Sequence, residues 1–260
     1  MKDVPASYSH EYMQIVIDTC LTAGRLMIAG GSEMYRVEDT MMRIAKNAGI
    51  KDPRVFGGPT GVFISLDGGA YAQLKQVRER NINLELVAHV NELSREFAAK
   101  KLSLYELQER LNVVAIMTPS FPLWIQLIGA AVLSSTLMVL FTGQYDWPDF
   151  PAAALVGMVG LLAFDGAKRL SKIRFLSEML AAIAMAAVAI GLHHLFPILK
   201  PDNILIGSLM TFVPGVALVN ALRDLFSGDL ISGIARSVEA ILTAVALGSG
   251  VGLVMKFLGQ

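Results

Sequence analysis

Between Arg110 and Asp146 the chain carries no Lys, Arg, Asp or Glu. That is more than the roughly 20 apolar residues one membrane-crossing helix needs. The rest of the chain follows the same division. Residues 1–118 hold 28 of the 44 charged residues, 14 basic and 14 acidic, and residues 119–260 hold the other 16, 8 of each sign. The whole-chain values, 54% hydrophobic and 17% charged, average over two different solvents, since a soluble chain carries about 25% charged residues. This pattern predicts a membrane α-helical bundle of about five helices (residues 119–260) preceded by a small cytoplasmic α+β domain (residues 1–118). Zero net charge in each half gives no footprint for nucleic acid. A single cysteine, Cys20, excludes an intrachain disulfide and a cysteine metal cluster.

The apolar runs place the spans at 121–141, 150–164, 175–196, 204–222 and 230–258. The polar opening, Met1 to Tyr12, does not read as a cleavable signal peptide, so the N-terminal domain is expected in the cytoplasm. Basic residues set orientation through short loops. Lys168, Arg169, Lys172 and Arg174 crowd the connection between the second and third spans, which places that loop inside. Five spans then put Gln260 outside.

Charges inside a bilayer cost roughly 2.5–3.5 kcal/mol each on insertion scales and need a partner or a wet cavity. Glu178 sits in the first turn of the third span, and Arg236 and Glu239 share one face of the fifth. Between spans four and five lies a compact polar turn, Asn220-Ala-Leu-Arg223-Asp224-Leu-Phe-Ser-Gly228-Asp229. These side chains either cap helices and pair structurally or line a transport pathway. Pro214-Gly215 interrupts the fourth span: the proline removes a backbone donor and frees the Met210 carbonyl. Unpaired backbone survives in lipid only when it is buried in protein or lines a cavity, and transporters use such breaks to bind substrate. Thr211 offers a hydroxyl beside the break.

The N-terminal half reads as two helices, Glu11–Ala29 and one running to about Ala48 with Ser32 as its N-cap. Arg36, Asp39 and Arg43 lie along the second. Strands Arg54–Phe56, Val62–Leu66 and Tyr71–Val77 follow, then helices Asn83–Lys100 and Leu104–Asn112, the last capped by Ser103. The loop Gly57-Gly58-Pro59-Thr60-Gly61 lacks the Gly-Lys-Ser/Thr ending of a phosphate-binding loop; it is either a hairpin turn or a presenter of backbone amides to an anion. No catalytic triad, metal-ligand cluster or cofactor motif stands out.

Several ordered motifs resemble the threonine/serine exporter (ThrE-like) family. They are Gly30-Gly31-Ser32-Glu-Met-Tyr-Arg36-Val-Glu38-Asp39-Thr40, then Pro59-Thr60-Gly61 before a strand, Asn91-Glu-Leu-Ser94-Arg95, and Val213-Pro-Gly to Asn220-Ala-Leu-Arg223-Asp224-Leu-Phe-Ser-Gly228-Asp229. With one membrane unit, the chain is similar to the larger subunit of the family's split, YjjP/YjjB-type form. The resemblance implies a secondary exporter of small carboxylate metabolites, threonine/serine or succinate-like dicarboxylates, in the bacterial inner membrane. It also implies proton coupling, no cofactor, a smaller YjjB-like partner subunit and a higher oligomer. Substrate binding is then expected at Thr211, Pro214, Gly215, Asn220, Arg223 and Arg236, and proton coupling at Asp224, Asp229, Glu239 or Glu178. The cytoplasmic motif comprises Arg36, Glu38, Asp39, Pro59, Thr60 and Gly61. A hydrolase-like or metabolite-sensing cytoplasmic domain is the alternative.

Overall fold

The computed structural model describes residues 9–78, 80, 82–117, 121–143, 145–170, 173 and 175–258. Lys172, Arg174 and Gln260, on which the orientation argument partly rests, lie outside the described residues, as does the expected domain boundary at 118–119. In chain order the elements are α1 (His10–Ala29), α2 (Met34–Asn47), β1 (Arg54–Gly58), β2 (Gly61–Leu66), β3 (Tyr71–Gln76), α3 (Leu84–Ala98) and α4 (Leu104–Met117). There follow α5 (Leu123–Thr142), α6 (Asp149–Leu170), α7 (Leu176–Leu195), α8 (Pro201–Met210), α9 (Gly215–Phe226) and α10 (Leu230–Leu258). The chain divides into two compact units, Met1–Pro119 with Val216–Ser237, and Ser120–Gly215 with Val238–Gln260.

In the first unit α1 is the central element. Val16, Ile17, Cys20, Leu21, Ala23, Met27 and Ile28 are all buried, so the helix is apolar nearly all round and packs against α2, α4 and the sheet. Ser9 starts it, its hydroxyl accepting from the Tyr12 N–H at 3.2 Å. The α2 helix is amphipathic: Val37, Met41, Ile44 and Ala45 face the core, while Arg36, Asp39 and Arg43 run along the other side. The sheet is antiparallel in the order β1-β2-β3. Val62, Ile64 and Leu66 point into the core, as the period of two requires.

Two local expectations change. Gly57, Gly58 and Gly61 belong to the β1–β2 ladder, with Gly58 opposite Gly61, so Pro59 and Thr60 alone make the hairpin turn. Glycines read as loop because they lack a side chain to pack, but these pair through their backbones. Ser32 does not cap α2; Glu33 holds the N-cap position and makes no side-chain cap bond. Asn83 and Ser103 do cap α3 and α4, and Glu106 reaches back to the Ser103 N–H at 2.7 Å to complete a capping box.

The second unit packs α5 to α8 and the remainder of α10 around small side chains: Ala152 and Ala153 on α6, and Ala181, Ala182, Ala186 and Ala189 on α7. Trp124, Ile128, Val132 and Leu140 of α5 lie outward and exposed. Outward apolar residues around a small-residue core mark a bundle whose solvent is lipid. Among the described residues α5, α6, α7 and α10 are long and apolar enough to cross a membrane. A fifth span arises only if α8 and α9, interrupted at Thr211–Pro214, count as one broken segment. The helix expected at 150–164 continues to Leu170, since Asp165 ends an apolar run without breaking a helix and pairs with Arg169 one turn later at 2.7 Å. The interruption expected at Pro214-Gly215 within 204–222 divides that stretch into two helices, α8 and α9, because the Pro214 ring and missing N–H end hydrogen bonding to the preceding turn.

Candidate functional site

The α1–α2 turn begins with Gly31 at φ +86°, a backbone state that glycine enters without strain. It closes α1 through bonds from the Gly31 N–H to the Ile28 carbonyl (3.1 Å) and from the Ser32 N–H to the Met27 carbonyl (2.9 Å). Gly30 has no room for a side chain either: a Cβ there would stand 2.9 Å from the Asn83 carbonyl and 2.8 Å from Val87. The turn therefore presents, in four consecutive residues, two carbonyls, a carboxylate and the first free N–H of α2.

Each of the four meets one group from the same compact unit's distant segment, Val216–Ser237. Asn220 Nδ2 donates to the Gly31 carbonyl at 2.7 Å, and Arg236 Nη2 donates to the Ser32 carbonyl at 2.7 Å. Arg223 Nη1 donates to Glu33 Oε1 at 2.5 Å. The Met34 N–H donates to Asp224 Oδ1 at 2.8 Å, across 190 residues of sequence. Asn220, Arg223 and Asp224 reach the turn together because spacings of three and four put them on one face of α9. Asp224 is fully buried, and its second oxygen lies 3.4 Å from Arg236 Nε. It thus does for α2 what an N-cap side chain ordinarily does, supplying a negative acceptor at the positive end of the helix.

Gly228, at φ +92°, ends α9 with the same chemistry that ends α1, the Asp229 N–H reaching the Asp224 carbonyl at 2.9 Å. Arg36 Nη1 approaches the other oxygen of Glu33 at 3.3 Å, so Glu33 stands between two guanidinium groups that are both partly exposed. Burial alone would raise the Glu33 pKa. Its own backbone N–H and the Arg223 and Arg36 guanidiniums outweigh that and hold the carboxyl below the usual glutamate range. Glu38 goes the other way: burial pushes it up, the Gly57 N–H at 2.6 Å only partly opposes this, and Asp229 adds to the rise.

The lowered Glu33 pKa gives a signed expectation. The group stabilises the fold fully above the unfolded glutamate pKa of about 4.3, and that contribution disappears as pH falls through the lowered folded value. Glu33→Gln is expected to melt below wild type at neutral pH, with the difference closing at acid pH. Paired thermal unfolding curves across pH, in detergent, measure it; a gap that widens on acidification contradicts the assignment.

The remaining nominated residues are not part of this cluster. Thr211 and Pro214 lie in the break between α8 and α9, where the Thr211 hydroxyl donates to the Ser208 carbonyl at 2.7 Å and the Gly215 N–H reaches the Val213 carbonyl at 2.8 Å. Glu178 and Glu239 fall, half-buried, in the second unit. Pro59, Thr60 and Gly61 are at the β1–β2 hairpin, and the Thr60 carbonyl accepts from the Val77 N–H at 2.8 Å. Asp39 pairs with Arg43 at 2.7 Å. Among the described residues no group of three or more His, Cys, Asp or Glu could hold a metal ion.

Sequence reasoning missed the partners: Gly31, Ser32, Glu33 and Met34. Their signal was the Gly-Gly-Ser-Glu run itself, whose role is to turn backbone groups outward. It also missed Asp149, fully buried, which accepts from the Lys200 N–H at 2.9 Å and so caps α8 as Asp224 caps α2.

Membrane-length helices and an interrupted apolar segment are the build of a polytopic membrane protein. The model of the family described as "Putative threonine/serine exporter" (ThrE) matches residues 18–258, and the chain belongs to that family. Among curated proteins it is 21% identical to the "Probable succinate transporter subunit YjjP" of Escherichia coli K12, over 94% of each chain. It is 22% identical to the protein of the same name from Klebsiella aerogenes, over 91% of this chain and 90% of that one. It is also 23% identical to "Pheromone-regulated membrane protein 10" of Candida albicans, over 88% of this chain but 21% of that longer protein. No solved structure matches.

Proposed function

We propose that the protein is one subunit of a secondary exporter of small carboxylate metabolites in the bacterial inner membrane. The four-point network ties the α1–α2 turn to α9 and to the first part of α10 within one compact unit. The observation that supports this best is the Arg223–Glu33 pair. A carboxylate held at 2.5 Å by a partly exposed guanidinium is the contact a substrate carboxylate would make, so Arg223 can exchange Glu33 for substrate. Asp229, close enough to bias the ionisation of Glu38, is the candidate proton carrier beside it. Residues 1–118 are the cytoplasmic part on this reading and the C-terminus is outside. The word "subunit" in the name of the YjjP relatives supports a partner, which we take to be a YjjB-like protein supplying a second membrane unit.

Efflux of labelled succinate and labelled threonine from proteoliposomes under an imposed pH gradient tests the reading, with the chain alone and with a YjjB-like partner. Export is expected only with the partner. Arg223→Ala and Asp229→Asn are expected to abolish it while leaving an inserted, folded protein. Wild-type rates in both variants would sink the site assignment, and absence of flux with well-folded partners would sink the exporter reading itself.

A further inference from the structure

Two of the motifs that carry the family likeness lie on neighbouring helices and face one cleft. Arg36, Asp39, Thr40 and Arg43 follow one another at spacings of three, one and three along α2, which keeps them on one side. Asn91, Ser94 and Arg95 do the same on α3. The Thr40 hydroxyl meets Asn91 Oδ1 at 3.5 Å across the gap. Between the helices is a cavity of about 200 Å³ lined by these residues and Tyr35. A wider groove of about 640 Å³ shares Arg36, Asn91 and Arg95 with it and is also lined by Lys101, Glu92 and Glu96.

The charges in the inner cavity are unequal. Arg36, Arg43 and Arg95 face a single carboxylate, Asp39, which is committed to Arg43 at 2.7 Å. Arg95 is exposed and makes no ion pair among the described residues. Thr40, Asn91 and Ser94 place neutral hydrogen-bonding groups between the cations, and Ser94 is 3% exposed. Planar guanidinium forks match carboxylate oxygens in pairs, and a cavity with guanidiniums contributed by both helices suits an anion charged at both ends.

The geometry points to the α2–α3 cleft as a binding site for a small dicarboxylate, held by Arg36 and Arg95 from opposite helices and by Thr40, Asn91 and Ser94 between them. The choice of carboxylate over other anions rests on the exporter reading; the cleft itself does not. Arg36 gives the site a consequence. The same side chain holds Glu33 Oε2 at 3.3 Å, and Glu33 holds Arg223 of α9. A carboxylate that draws Arg36 into the cleft leaves Glu33 to Arg223 alone, so occupancy of the cleft and the state of the α1–α2 joint are thermodynamically linked.

Isothermal titration of the full purified chain in detergent, with succinate, threonine and inorganic phosphate as separate titrants, tests the site without any transport step. Succinate is expected to bind one per chain, with Arg95→Ala weakening it at least tenfold and Arg95→Lys by less. Arg54→Ala, which removes an exposed guanidinium on β1, is expected to leave the affinity unchanged. Equal succinate affinity in wild type and Arg95→Ala, tighter binding of phosphate or threonine, or no succinate binding at millimolar concentration overturns the proposal. Succinate binding that depends on Arg95, in protein that carries no flux with its partner, would sustain the cleft and overturn only the exporter reading.

Discussion

Asp224→Ala is expected to be the most damaging single change outside the bundle core. Asp224 is fully buried, accepts from the first free N–H of α2 at 2.8 Å and lies 3.4 Å from Arg236. Its removal leaves a buried guanidinium without that carboxylate and α2 without its cap. Breaking a buried pair by deleting one partner costs about 3–5 kcal/mol, and losing a cap costs about 1 kcal/mol. Asp224→Asn keeps an acceptor for the Met34 N–H and is expected to lose less. Adding Arg236→Met to Asp224→Ala is expected to recover part of the loss, because the charge that Asp224 faced goes with it, less the bond from Arg236 to the Ser32 carbonyl. Thermal unfolding of the detergent-purified variants reads all three. A wild-type midpoint in Asp224→Ala would show that the joint contributes little to the fold.

Gly207→Ala is expected to be the second most damaging, for a reason of shape rather than charge. A Cβ on Gly207 of α8 would stand 2.4 Å from the Ser134 carbonyl and 2.5 Å from the Met138 Cβ of α5. The first of these is backbone and cannot rotate aside, so the two helices must separate. Overpacking of this kind costs about 1–3 kcal/mol, and in a bilayer close approach of helices is itself the main source of association. Gly129 and Gly248 provide the comparison, since a Cβ at either meets nothing within 4 Å. Alanine at those positions is expected to be neutral or stabilising, by up to about 1 kcal/mol of helix propensity. Equal midpoints for Gly207→Ala and Gly129→Ala would show that the α5–α8 crossing tolerates the extra methyl.

The parts of this protein that were legible in the chain are those set by near neighbours. The membrane helices followed from apolar runs too long for anything else, and the sheet followed from alternation at Val62, Ile64 and Leu66. The Ser103 cap followed from a serine standing immediately before the helix at Leu104. Where local reading failed, a residue's role was decided by something remote. Ser32 looks like an N-cap because serine usually is one, but its carbonyl is held by Arg236 and the capping duty passes to Asp224. Asp165 looked like the end of a span because charge ends an apolar run; a helix does not need that run in order to continue.

The candidate site divides in the same way. Asn220, Arg223, Asp224 and Arg236 could be singled out from sequence, because charge and amide at the end of an apolar segment require partners. Which partners could not be read. Hydrogen bonds carry no signal along the chain between atoms 190 residues apart, and the groups that meet these side chains are largely backbone, which every residue possesses. Likewise Arg36 and Arg95 stood in two separate motifs of the chain, and only the packing of α2 against α3 brings them to one cleft. Chain chemistry alone marks a membrane protein with an N-terminal α+β module and an interrupted helix, since solvent preference and backbone chemistry are local properties. What the polar residues do to one another emerges only from the folded chain, because pairing in space depends on where the turns at Gly31 and Gly228 send it.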